Sequence, residues 1–155
     1  MKNSTNLIFD FDGVLLNAKV LYAEIAFKYF DNNVDQSKLA RLISGGGQKM
    51  FDCIVGRSSS QEDIQLFRNN QVNMFNPDRH LYPNTHCMVK SFSSDNNLFI
   101  VSNKPERIIK AILEKSDLTQ YFQLVIGLDS GFQKKPSPEG LNYIKKMFPA
   151  SDSIF

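Results

Sequence analysis

The chain has 155 residues, enough for one domain with a modest insertion, and its 42% hydrophobic content supports a sizeable packed core. Eighteen Lys and Arg against sixteen Asp and Glu leave a formal charge of +2 without a basic stripe, so nucleic-acid binding is not indicated. No stretch approaches a membrane span, Asp10 and Asp12 interrupt any signal-peptide core, and Cys53 and Cys87 are too few for a disulfide framework; a cytoplasmic protein with both thiols as free core residues is expected.

Residues 7–11 form the first apolar run. Its Leu, Ile and Phe do not alternate with polar residues, which is how strands covered on both faces of a parallel sheet read. Residues 17–81 follow without a convincing strand. Within them 18–30 are apolar at almost every position, 39–43 carry a shorter stripe and 64–75 a third, with Gly45-Gly46-Gly47 as a flexible break, so a helical insertion is predicted.

After the Tyr82-Pro83-Asn84 turn, Met88, Val89 and Phe92 suggest a short helix, and 98–101 a second buried strand. A helix beginning at Pro105, with Ile108, Ile109, Ile112 and Leu113 on one face, leads to a third strand at 124–128, completing a βαβ unit. A further helix is predicted after Ser137, with Pro138 in its first turn and Leu141, Ile144, Met147 and Phe148 at helical spacing. The expected fold class is α/β: a doubly wound, mostly parallel, Rossmann-like core from residues 1–16 and 82–155, with a helical cap inserted at 17–81.

Asp10-Phe11-Asp12-Gly13-Val14-Leu15 begins where the first strand ends, and open α/β sheets bind ligands beyond the carboxyl ends of their strands. Two carboxylates two residues apart are costly together unless a cation shares the site; taken alone, they also fit a solvated turn. The second strand runs into Val101-Ser102-Asn103-Lys104-Pro105, a hydroxyl and backbone amides at a helix start. That suits an anion site, although Ser102 or Asn103 can equally serve as a helix cap. After the third strand, Lys134-Lys135-Pro136-Ser137-Pro138 offers a lysine whose ammonium can meet a phosphate and offset the carboxylates.

In this order the three motifs resemble those of the haloacid dehalogenase superfamily, in its helical-cap, phosphoglycolate phosphatase-like form, over essentially the whole chain. The resemblance implies a phosphohydrolase acting on a small phosphorylated metabolite. Asp10 would be the nucleophile that becomes an aspartyl-phosphate, and Asp12 the acid and base. Ser102, Asn103 and Lys135 would bind the phosphate, and Mg2+ would sit on Asp10 and Asp12. The cap would close over the site and exclude water. Hydrolysis is expected over mutase or dehalogenase activity.

One departure is visible. The family's fourth motif, Gly-Asp-x-x-x-Asp after a further strand, does not follow before Phe155, and Ile154-Phe155 reads as the opening of that strand. Three consequences are expected: an incomplete metal site, little activity at this length, and an unpaired apolar edge on the first strand that invites self-association. The alternative function is a catalytically impaired remnant serving as a phosphate-binding or interaction module.

Overall fold

The apolar runs do become strands: the first and third lie two residues earlier than expected, where the chain has a local reason to leave the ladder, and the second begins one residue earlier with its end unchanged. Strand β1 is Thr5–Phe9. It ends before Asp10 because the carbonyl of Phe11 accepts bonds from Val14 N (3.3 Å) and Leu15 N (3.0 Å), closing a turn through Gly13 at φ +84°. Strands β2 (Asn97–Val101) and β3 (Phe122–Ile126) follow. The chain leaves β3 after Ile126, where Gly127 N donates to Ser130 Oγ and Leu128 N to the Lys104 carbonyl. The computed structural model describes residues 5–43, 45–150 and 152–155.

A fourth strand, β4 (Asp152–Ile154), completes a wholly parallel sheet of order β3-β2-β1-β4. The expectation of a bare β1 edge is therefore corrected: Thr5, Asn6 and Leu7 are registered with Asp152, Ser153 and Ile154. Of the two residues that read as a strand opening, Ile154 ends β4, which starts two residues earlier, and Phe155 lies just beyond it.

Eight helices of four residues or more are placed among the described residues, and the chain divides into two compact units, Met1–Leu15 with Pro83–Phe155, and Leu16–Tyr82. In the first unit, α6 (Thr85–Phe92), α7 (Glu106–Lys115) and α8 (Glu139–Met147) accompany the sheet. Its core gathers Ile8, Phe99, Val101, Ile126 and Ile144, with Leu124, Phe132, Leu141 and Phe148 packed against them. Asn6 is fully buried and donates to the Phe148 carbonyl at 2.6 Å while accepting from Asn97 at 3.0 Å, so a polar side chain fastens the end of α8 to two strands. Pro105 and Pro138 stand one position earlier than expected, as the residues preceding α7 and α8.

The second unit is helical: α1 (Ala18–Phe30), α2 (Gln36–Ile43), α3 (Gln48–Val55), α4 (Gln61–Asn73) and the single turn α5 (Pro77–His80). Sequence pattern picked out α1, α2 and α4 but not α3 or α5. The buried stripe of α1 is Ala18, Leu21, Tyr22, Ile25 and Ala26, and Tyr22 meets Phe67 of α4 edge-on at 4.8 Å. Asn32 donates to the carbonyls of Cys53 and Ile54, tying the end of α1 to α3. Both cysteines are free, but neither is a core residue: Cys53 is half-buried and Cys87 exposed.

Candidate active site

Parallel strands put all their carboxyl ends on one side, and here the strand order reverses at β1, which lies between β2 and β4. Such a reversal opens a crevice beyond the strand ends. Asp10 is the first residue past β1 and Ser102 the first past β2, with Phe9 registered on Ile100. Lys135 arrives on the long loop after β3. These placements follow from the register, because a parallel ladder with little stagger brings its exits level.

The side chains at this edge are tightly organised. Lys135 Nζ lies 2.7 Å from Asp10 Oδ2, and the other Asp10 oxygen accepts from Phe11 N at 2.7 Å. Asn103 clamps Lys135 through its backbone: its Oδ1 accepts from Lys135 N at 2.8 Å and its Nδ2 donates to the Lys135 carbonyl at 3.2 Å. The Lys135-Pro136 peptide is cis. Ser102 is buried, receives Lys104 N on its hydroxyl at 3.3 Å, and donates its own N–H to the Ile126 carbonyl at 2.9 Å.

A residue the sequence reading passed over completes the arrangement. Lys104 is buried, and its Nζ lies 3.0 and 3.2 Å from the two carboxylate oxygens of Asp12. Burial pushes this ammonium below the ordinary lysine range, opposed by the charges of Asp12 and Asp10. The two neighbouring carboxylates are thus each matched by their own lysine, Asp10 by Lys135 and Asp12 by Lys104. A signal was present in the sequence: two adjacent carboxylates demand more cationic partners than one lysine supplies, and Lys104 stands in the second motif.

The start of α7 differs from the expected anion site. Glu106 N donates to Asp129 Oδ1 at 2.6 Å, so the first N–H of that helix is already occupied by a carboxylate of the β3 loop. Gly127 allows this approach, since a Cβ there would stand 2.3 Å from Glu106 N. Asp152 lies far from the crevice. It is registered on Thr5, at the amino end of β1, and five residues of strand separate that level from Asp10, about 16 Å at the usual rise.

The donor chemistry fits a hard divalent cation in part. Asp10 and Asp12 provide carboxylate and carbonyl oxygens of the kind magnesium accepts alongside waters and phosphate oxygens. Among the described residues no third Asp, Glu, His or Cys joins them in a metal-binding group.

Comparisons with known proteins bear on the family and the fold. The family described as haloacid dehalogenase-like hydrolase matches residues 7–152. A phosphoglycolate phosphatase of Aquifex aeolicus is 29% identical over 144 residues, 85% of this chain and 64% of that protein, so the chain spans less than two thirds of this relative's length. One from Vibrio parahaemolyticus is 27% identical, over 96% of this chain and 72% of its own length. Among solved structures, a predicted phosphoglycolate phosphatase from Haemophilus somnus superposes with a TM-score of 0.72 at 20% identity, covering 96% of this chain and 72% of that one. A HAD-hydrolase from Bacillus subtilis, solved bound to magnesium, gives 0.70 at 18% identity, covering 96% and 74%. At these identities the structural likeness concerns the fold.

Proposed function

The chain belongs to the haloacid dehalogenase-like hydrolases, and from that premise we propose that it comes from a phosphohydrolase acting on a small phosphorylated metabolite through an aspartyl-phosphate. The observation that carries this reading is the Asp10–Lys135 pair, 2.7 Å apart, at the carboxyl end of β1 where the strand order reverses. A carboxylate there can attack phosphorus while the ammonium beside it meets the phosphoryl oxygens.

In the proposed reaction an Asp10 oxygen bonds to phosphorus as the bond to the leaving oxygen breaks. The Asp12 carboxyl group gives that oxygen its proton, then takes one from the water that hydrolyses the acyl phosphate. Ser102 and Lys135 hold the transferring group. Asn103, whose amide is engaged by the Lys135 backbone, contributes mainly by fixing that lysine. Magnesium is the cofactor proposed, held by Asp10 and the Asp12 carbonyl; when bound, it supplies positive charge to the phosphoryl oxygens. Residues 17–81 are proposed as the cap that selects the substrate. The names of the relatives make 2-phosphoglycolate the first compound to try.

The test is release of phosphate from phosphoglycolate and from a generic phosphomonoester, with and without magnesium, by this protein and by Asp10→Asn. Slow turnover that needs magnesium and disappears in Asp10→Asn is expected. Phosphate binding without turnover would favour the remnant reading instead, and an active Asp10→Asn protein would exclude the covalent route.

A further inference from the structure

Lys104 is the least expected side chain at the site, because a lysine is rarely this buried unless its charge is matched. Every part of it is held. Its N–H bonds to Ser102 Oγ, its carbonyl accepts from Leu128 N at 3.0 Å, and its ammonium lies against both oxygens of Asp12, 6.0 Å from the centre of the Phe11 ring. Asp12 lies just past the end of β1, beside Gly13, which has a positive φ. A fixed cation touching both oxygens of a carboxylate restricts the rotamers that the side chain can adopt. Stability alone is a weak reason for this arrangement, since apolar replacements of buried ion pairs are often neutral or stabilising.

We infer that Lys104 is a positioning residue that aims the carboxyl group of Asp12 at the reacting oxygens. The inference rests on the phosphohydrolase reading and adds a residue to it. Proton transfer requires the carboxyl group within hydrogen-bond reach of the oxygen it serves, and misplacement by about 1 Å can cost on the order of 100-fold in rate. Lys104 thereby acts on the chemical step and not on substrate affinity, in contrast to Lys135, which faces the phosphate.

The experiment uses this protein with a generic phosphomonoester and measures kcat and KM separately. Lys104→Met, close in length and uncharged, is expected to lose on the order of 100-fold in kcat with KM little changed, and to lower the melting temperature because the Asp12 carboxylate is left without its cation. In an Asp12→Asn background the same change should cost nothing further, because the group being aimed is gone. Lys104→Gln carries the same test should the Met variant fail to fold. A Lys104→Met protein with wild-type kcat, or one that loses the same factor with Asp12 already removed, overturns the inference. If Asp10→Asn remains active, the phosphohydrolase reading falls first and takes this one with it.

Discussion

At the scale of single residues, the site divides its work between groups that would meet phosphate and groups that hold those groups in place. Asp10→Asn should abolish turnover, since an amide cannot accept the phosphoryl group. Asp12→Asn should slow it by roughly 100-fold to 10,000-fold, the usual range for a general acid or base. Both are read from single-turnover phosphate release. Asn103→Ala strips Lys135 of the side chain that pairs with its backbone N–H and carbonyl. Leaving such groups without partners costs about 1–3 kcal/mol, and because Lys135 is proposed to hold phosphate, the expected sign is a higher KM.

At the scale of elements, helix ends give the clearest expectations. In the helical unit, α4 opens with a capping box: Ser60 Oγ accepts from Asp63 N at 3.1 Å and Ser60 N donates to Asp63 Oδ2 at 2.8 Å. Arg57 also pairs with Asp63 at 2.7 Å. Hydrogen bonds from Arg57 and Ser60 hold the Asp63 carboxyl down at about 2. A depressed acid stabilises the fold at pH values above its unfolded value near 3.8, and that contribution is lost as pH falls through about 2. Acid unfolding of wild type should therefore be steeper across this window than that of Asp63→Asn, followed by far-UV circular dichroism. Ser60→Ala should destabilise by about 0.5–2 kcal/mol at neutral pH. In the sheet unit, Gly127→Ala would drive a methyl group into the backbone of Glu106, so displacement of the start of α7 is expected.

At the scale of the whole molecule, two compact units each own a hydrophobic interior. Chains built this way commonly depart from a single two-state transition. Ile144→Ala removes a fully buried side chain from the sheet core, where truncations of this kind cost about 2–5 kcal/mol. Calorimetry should show that loss in the transition of the sheet unit, and an equal shift in every transition would mean that the units unfold as one. The sheet edges also belong to this scale. With β4 beside it, β1 no longer offers the bare edge that local pattern suggested, and among the described residues the outermost strands of the sheet are β3 and β4.

Local pattern was sufficient for β1, β2 and β3, for α1, and for the order of the motifs. Runs of Leu, Ile, Val and Phe report burial on both faces, and the stripe on α7 reports one buried face, whatever lies opposite. The stripe of α3 was too short to stand out between Gly- and Ser-rich stretches, and the single turn α5 was too short to carry a stripe at all. Asp10, Asp12, Ser102 and Lys135 could be singled out because strand ends are where an α/β sheet exposes reactive groups. Their partners could not. Lys104 meets Asp12 across 92 positions, Asn103 meets Lys135 across 32, and Asp129 meets the start of α7 across 23. The choice among such partners depends on strand register and on the direction in which each turn releases its side chain, quantities that no local spacing contains. Pairing of Asp152–Ile154 with β1 is of the same kind: three residues carry too little pattern to declare a strand, and only the neighbouring ladder gives their backbone groups a place to bond.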